Sequence, residues 1–309
     1  LKNLNDITVD IADFLKSPTK PLITVMGPTA SGKSKLAVKL AKEFDGEVIN
    51  ADSRQVYQEM EIGNELTKPE EMEGIPHHLL GYVPLNRTLS VADYKADAEK
   101  IIEDIQSRGK TPILCGGSVL WIDAVVDNFQ IPAGEPDIVF RSKLEEQSAE
   151  DLLKQLETVD PESAEQFRET KNKRYIIRAL EVFQMTGKKK SELASKGERK
   201  YQVFKVAPHW DRDLIYERIN ARTRVQVDSG MIPEVQSLVD KYADGEPSKL
   251  LELGWPSLTS IGCKEVIPFL AGEIDKEALI ERLQQNNRNY AKRQLTWLRK
   301  DEEIRWISE

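Results

Sequence analysis

The sequence predicts an α/β fold: a parallel sheet flanked by helices, interrupted by a helical insertion domain. Three observations carry this. Residues 27–34 read Gly-Pro-Thr-Ala-Ser-Gly-Lys-Ser, directly after an apolar, partly β-branched run, Leu22–Met26, long enough for a buried strand. Lys35–Phe44 follows with apolar side chains at 36, 37, 40, 41 and 44, the stripe of a helix. Strand and helix patterns then alternate until about residue 128, where the chain turns helical and charged. Strand, glycine loop and helix in that order make G-x-x-x-x-G-K-[ST] a phosphate site, so the sheet is P-loop NTPase-like.

Residues 1–20 mix apolar side chains with Asp6, Asp10 and Asp13 and read as a short helical or partly ordered lead-in. They lack the basic start and unbroken apolar core of a secretory signal. After the first helix, Glu47–Asp52 is a short β-rich run ending in an acid. Residues 90–108 form an amphipathic helix, with Ser90 as N-cap, Asp93 three residues on, and Gly109 closing it. Thr111–Cys115 is another buried strand, leading into Gly116-Gly117-Ser118. The β-α-β order demands parallel strands. Ligands bind such sheets at the carboxyl ends of the strands, so Gly27–Ser34, Asp52 and Gly116–Ser118 should converge. Residues 128–200, with turn signals at Pro132, Gly134, Pro136 and Pro161, form the insertion. A strand resumes at Tyr201–Ala207, helices follow at 212–228, 233–243 and 276–300, and a short apolar stretch ends the chain. The core is thus 21–127 with 201–309.

With 309 residues, 39% hydrophobic and 31% charged, the composition is that of a polar globular protein. No run is long enough to span a membrane. The two cysteines, Cys115 and Cys263, stand alone, without the clustered partners that zinc needs, and fit a reducing cytoplasm. A net charge of −8 argues against nucleic acid until its distribution is read. Residues 168–200 hold eleven Lys or Arg against four Glu, a local charge of +7 that leaves −15 on the rest. A second cluster comprises Arg288, Lys292, Arg293, Arg299 and Lys300. Segregated basic patches suit a localised phosphate-backbone contact, although either alone would equally serve as a solvated helix face.

At the loop, backbone N–H groups and a helix N-terminus face an anion, Lys33 adds a charge, and Ser34 offers a hydroxyl to a metal ion. Alone, this suggests a nucleoside triphosphate. Asp52 suits a Mg²⁺ ligand, a general base or a helix N-cap. In many P-loop nucleotidases an apolar strand ends in an Asp that helps hold Mg²⁺. Pro112–Cys115 ends instead in Gly116-Gly117-Ser118, which points to a diphosphate held for a purpose other than hydrolysis. His77 and His78, adjacent in a loop and without a third ligand, read as structural hydrogen-bonding groups.

The blocks GPTASGKS, NADSRQVY, IPHHLL (75–80), SVADYKADA (90–98), RGKTPILCGGS (108–118), IIRALEVFQMTGKKKS (176–191), IGCKE (261–265) and NYAKRQLTWLR (289–299) occur in this order. Together they closely resemble the tRNA dimethylallyltransferases, or tRNA isopentenyltransferases, from about Pro21 to Trp306. The resemblance implies transfer of a dimethylallyl group from dimethylallyl diphosphate to the exocyclic amine of the adenosine 3′ of the anticodon. Gly27, Thr29, Ala30, Ser31, Gly32, Lys33 and Ser34 would then bind the diphosphate, with Mg²⁺ at Ser34. Arg141, in the run 137–144, matches an arginine that meets the same group. Asp52 takes the general-base position, so Asp52, Lys33, Arg141 and Thr29 form the catalytic set. Ser53 and Gln55 would hold the flipped adenine, and Asp52, Arg54, Ser118 and Arg141 would also belong to the tRNA-binding set. Lys173, Arg174 and Arg178 match the tRNA-contacting helix, and Arg293 in the second basic cluster would grip the stem. The implied partners are a tRNA anticodon stem-loop and dimethylallyl diphosphate, for a cytoplasmic monomer.

Several positions depart from the family pattern. Val119 replaces a glycine, removing backbone freedom there, and Cys263 replaces an aromatic residue. Gly81 stands where an acid is common, and the usual G-T-A-K-P is expanded to Gly63-Asn64-Glu65-Leu66-Thr67-Lys68-Pro69. An adenylate isopentenyltransferase acting on free nucleotide is the nearest alternative, but it needs less of the basic insertion. A small-molecule kinase with ATP in the loop fits less well, lacking the acid at the strand end.

Overall fold

The computed structural model describes residues 1–16, 19–130, 138–193 and 197–308. Pro132, Gly134, Pro136, Asp137 and Lys196 lie outside the described residues. In chain order the elements begin α1 (Leu4–Phe14), β1 (Pro21–Met26), α2 (Lys33–Glu43), β2 (Gly46–Asn50), α3 (Pro69–Met72) and β3 (His77–His78). Next come α4 (Val91–Ser107), β4 (Thr111–Gly116), α5 (Val119–Val126), α6 (Ile138–Glu145), α7 (Ala149–Val159), α8 (Pro161–Phe167), α9 (Lys173–Thr186) and α10 (Lys190–Leu193). The chain finishes with β5 (Gln202–His209), α11 (Arg212–Gln226), α12 (Ile232–Tyr242), α13 (Pro247–Glu252), α14 (Cys263–Leu270), α15 (Lys276–Leu298) and β6 (Arg305–Ser308). Two compact units result, residues 1–122 with 201–309, and residues 123–200.

The first unit is built on one six-stranded sheet, β3-β2-β4-β1-β5-β6, in which every pairing is parallel. Its central strands are apolar runs because both faces are covered: β1 is buried from Leu22 to Met26 and β2 along its whole length. Register determines what happens at the strand ends. Met26 pairs with Gly116, and Asn50 with Cys115, so β1, β2 and β4 stop at nearly the same level. The segments that follow, 27–34, 51–55 and 117–118, therefore emerge on one edge.

Residues 1–16 are more than a lead-in. Ile7 and Ile11 of α1 are fully buried in the core with Ile23, Val25, Leu40 and Val206. Each such side chain contributes roughly 1.5–3 kcal/mol by leaving water. Lys2 also bridges to Ile307 beside β6. The capped helix begins where the sequence indicates: Ser90 accepts from the Asp93 N–H and Asp93 accepts from the Ser90 N–H. His77 and His78 form a two-residue strand on β2 rather than a loop. His78 Nε2 lies 2.8 Å from the Glu47 carboxylate and His77 Nδ1 lies 2.9 Å from the Ile75 carbonyl, consistent with structural roles. Both cysteines are buried thiols, pushed by burial up to about 12.

The second unit is a small helical assembly around Leu152, Leu156, Phe167, Ile176 and Leu180. Its turn at Pro161 hangs on Asp160, which is fully buried. That carboxylate caps α8 through the Ser163 N–H at 3.1 Å and receives the Ser191 N–H and hydroxyl at 3.0 and 2.6 Å. None of the described helices is long and apolar enough to cross a membrane.

Candidate active site

The phosphate loop leaves β1 at Gly27 and enters α2 through Gly32, whose φ of +83° places it in the left-handed region. Its carbonyls are fastened by Arg218, midway along α11, and by Trp210 in the turn before that helix. Trp210 Nε1 donates to the Ser31 carbonyl at 2.8 Å, and Arg218 Nε donates to the Ala30 carbonyl at 2.9 Å. The Arg218 guanidinium lies over the Trp210 ring at 4.2 Å, so the two clamps brace each other. Ala30 packs against Ile215, Ile219 and Ala291. As at any helix start, the first N–H groups of α2 lack intrahelical acceptors and suit an anion. Lys33 Nζ lies 3.4 Å from the Pro28 carbonyl, a long contact easily exchanged for a phosphate oxygen.

A second glycine loop meets the first. A Cβ on Gly116 would lie 2.1 Å from the Ala51 carbonyl oxygen, and one on Gly117 would lie 2.2 Å from Gln294 Nε2. A side chain at Gly116 would collide with the backbone, and one at Gly117 would displace the Gln294 amide. Gln294, buried on α15, accepts the Thr29 N–H through Oε1 at 3.1 Å and donates through Nε2 to the Gly117 carbonyl at 2.8 Å. Val119 opens α5 in helical conformation, so the glycine it replaces is not required there.

Asp52 sits one residue beyond this crossing. Asn50 holds its backbone from both sides: Oδ1 accepts the Asp52 N–H at 3.0 Å and Nδ2 donates to the Asp52 carbonyl at 3.2 Å. Tyr94, fully buried, ties the Asn50 carbonyl at 2.9 Å. The carboxylate accepts the Arg54 N–H at 3.0 Å, closing an Asx turn. Ser53 and Ser118 are joined, Ser118 Oγ accepting the Ser53 N–H at 2.9 Å and donating to Ser53 Oγ at 3.1 Å. The Tyr290 hydroxyl also meets Ser118, and burial with the nearby Asp52 charge raises its pKa. Arg54 reaches the Pro256 carbonyl and Gln55 the Glu65 carbonyl, at 2.8 and 2.7 Å.

The sequence reading did not single out the pair that stands across from Lys33. Arg222 on α11 forms an ion pair with Glu65, its Nε lying 2.6 Å from Oε1. Burial raises the Glu65 pKa above the usual carboxylate range, against the pull of Arg222 and Lys33 and with help from Asp52, while the Thr29 hydroxyl donates to it. Glu65 therefore feels Lys33, Thr29, Arg222 and Asp52 together. Its loop is anchored from α11 and α12. Gln226 Nε2 donates to the carbonyls of Ile62 and Gly63 at 2.8 and 3.0 Å. Glu234 accepts the N–H groups of the same two residues at 2.7 and 2.6 Å.

The helical unit holds the remaining arginines. Arg141 Nε and Arg178 Nη1 both bond the Glu181 carboxylate, at 2.6 and 2.5 Å. Burial alone would raise Glu181, but the two guanidinium groups hold its pKa below the ordinary range. Lys173 donates to the Glu145 carbonyl, and Arg174 is exposed beside Tyr175, itself stacked on Phe167 at 5.8 Å between ring centres. On the outer face of α15, Asn289, Lys292, Arg293, Thr296 and the exposed Trp297 line a shallow groove. Arg293 lies over Tyr290 and Lys300 over Trp297.

The first unit thus gathers Gly27–Ser34, Asp52–Gln55 and Ser118 at one edge, while Arg141, Lys173, Arg174 and Arg178 lie in the helical unit. The reading missed Asn50, Glu65, Arg218, Arg222, Tyr290 and Gln294. Asn50, Tyr290 and Gln294 lay inside quoted blocks, NADSRQVY and NYAKRQLTWLR, whereas Glu65, Arg218 and Arg222 did not. Among the described residues, no group of three or more His, Cys, Asp or Glu side chains could hold a metal ion. A divalent cation here would rest on Ser34 and on ligand oxygens, an arrangement that suits Mg²⁺.

Comparison with known proteins is consistent with this geometry. The model of the IPP transferase family matches residues 55–301. A protein of Oceanobacillus iheyensis named tRNA dimethylallyltransferase is 40% identical over 291 residues, spanning 92% of this chain and 90% of its own. One from Halothermothrix orenii with the same name is 37% identical, spanning 93% and 87%. Among solved structures, a tRNA isopentenylpyrophosphate transferase of Bacillus halodurans superposes with a TM-score of 0.69 at 35% identity, covering 94% of this chain and 90% of that one. A eukaryotic dimethylallyltransferase acting on tRNA reaches 0.81 at 28% identity, covering 94% and 74%. With a family match over most of its length and relatives near 40% identity, the chain belongs to the IPP transferase family.

Proposed function

We propose that the protein is a tRNA dimethylallyltransferase, moving a dimethylallyl group from dimethylallyl diphosphate to the exocyclic amine of the adenosine 3′ of the anticodon. The observation that supports this best is the shared edge of β1, β2 and β4. It joins a phosphate loop to a braced carboxylate, Asp52, and carries no acid at the end of β4.

In the transfer, the adenine nitrogen attacks the allylic carbon, a bond forms between them, and the carbon–oxygen bond to the diphosphate breaks. The electron pair leaves with the diphosphate, where Lys33, the loop amides and Arg222 stabilise the growing charge. The nitrogen's proton passes to Asp52. An adenine amine is a weak nucleophile, so a base fixed by Asn50 matters more here than a strong one. A Mg²⁺ at Ser34, when bound, would add charge stabilisation to the leaving group. The resemblance also assigns Arg141 to the diphosphate, which would then share its guanidinium with Glu181.

The acceptor base must leave its stack to reach an enclosed donor. Ser53, Gln55 and the Ser118–Tyr290 pair suit the flipped adenine. Lys173, Arg174 and Arg178 suit the tRNA backbone, as does Arg293. Incubation with labelled dimethylallyl diphosphate and either unmodified tRNA or AMP tests the reading. Label in tRNA is expected; label in AMP alone would overturn it.

A further inference from the structure

The expanded segment 63–69 places a carboxylate where an anion should bind. Glu65 has a φ of +53°, a left-handed conformation that costs a non-glycine residue energy. The loop is nevertheless held there. Glu234 and Gln226 bond Ile62 and Gly63 as described, and Gln55 Nε2 donates to the Glu65 carbonyl at 2.7 Å. Glu65 Oε1 lies 2.6 Å from Arg222 Nε, the Thr29 hydroxyl donates to the same carboxylate, and Lys33 attracts it. Those three groups are the side chains that a diphosphate in the loop would also require. Asp52 opposes the charge on the same carboxylate.

We propose that Glu65 is a competing anion built into the diphosphate site. It engages Arg222 and Thr29 while the site holds no diphosphate, and it yields them when one enters. This rests on the reading that the loop grips the donor's diphosphate. A multiply charged diphosphate and an ionised Glu65 cannot share Arg222 without repulsion, so the carboxylate must turn away or accept a proton. Either response weakens the hold on diphosphate. The benefit falls at the end of the cycle: Glu65 recaptures Arg222 and helps expel the product, which otherwise occupies a site designed to bind it. Glu65 acts through Arg222 and Thr29, and it is a positioning residue for product release.

The test measures binding of inorganic diphosphate with Mg²⁺ to the full chain by calorimetry, in the wild type, Glu65→Gln and Glu65→Ala. The amide keeps the shape and can still accept from Arg222, but it carries no charge. Both variants are expected to bind diphosphate at least roughly fivefold more tightly, because a nearby like charge is gone. Inhibition of transfer by added diphosphate should strengthen by the same factor. Should the alanine variant lose its fold, the glutamine variant decides. Wild-type binding that is unchanged or weakened in Glu65→Gln overturns the role of Glu65 and leaves the loop assignment standing. Absence of diphosphate binding in all three proteins overturns both.

Discussion

The side-chain amide of Gln294 and the backbone of Thr29 are 265 residues apart in sequence and 3.1 Å apart in space, and that contact holds the phosphate loop against the second glycine loop. Gln294→Ala would leave the buried Gly117 carbonyl and the half-buried Thr29 N–H without these partners. The expected loss is roughly 1–3 kcal/mol of stability for each orphaned group, read as a lower unfolding midpoint. Gln294→Glu separates the two bonds, because a carboxylate accepts from Thr29 but cannot donate to Gly117. It should retain part of the stability while lowering kcat/KM for the diphosphate substrate.

Asp52 and the tRNA contacts should separate by assay. Asp52→Ala is expected to reduce turnover by a factor of roughly 10²–10⁴, the usual weight of a positioned base, while tRNA affinity measured by filter binding stays unchanged. Equal loss of both would remove Asp52 from the base role.

Arg174 is exposed on α9 of the helical unit. Arg174→Glu should weaken tRNA binding uniformly and reduce the slope of log affinity against log salt by about 1 or more. Single-turnover chemistry at saturating tRNA should be preserved.

Glu47 provides a pH signature in the sheet. Arg108 bonds its carboxylate at 2.5 and 2.8 Å, and this pairing, with His78 adding to it, outweighs burial and brings the pKa to about 2 from an ordinary 4.5. A depressed carboxylate stabilises the fold fully above its unfolded pKa and loses that contribution as pH falls. The acid limb of stability should therefore steepen between pH 4.5 and about 2. Glu47→Gln should flatten that window and cost on the order of 2 kcal/mol at neutral pH, less than the full shift implies because solvent screens Arg108.

The strands β1, β2 and β4 were legible because buried parallel strands are continuous apolar runs, and the loop because its glycines impose a recognisable spelling. The helix after Ser90 was legible for the same local reason, a cap followed by a stripe. β3 was not, since two histidines become a strand only by pairing with Val48 and Ile49. Arg222 and Glu65 escaped for a related reason. Nothing local marks one arginine of α11 as different from its neighbours, and the contact that does so joins residues 157 positions apart. Val119 looked like a lost turn glycine, yet the turn had already been made by Gly116 and Gly117. Charge was misleading only as an average: the acidic total conceals the excess of lysine and arginine at 168–200.

The strand order has a metric consequence. The phosphate loop follows β1 and Asp52 follows β2, with β4 between them. Neighbouring strands lie about 4.8 Å apart, so the phosphate loop and Asp52 begin about 10 Å from each other. That span accommodates a departing oxygen, an allylic carbon, an incoming nitrogen and a receiving carboxylate in a row. For the proposed transfer the sheet would serve as a ruler, its graduation fixed by backbone hydrogen bonds that no side-chain substitution can rescale.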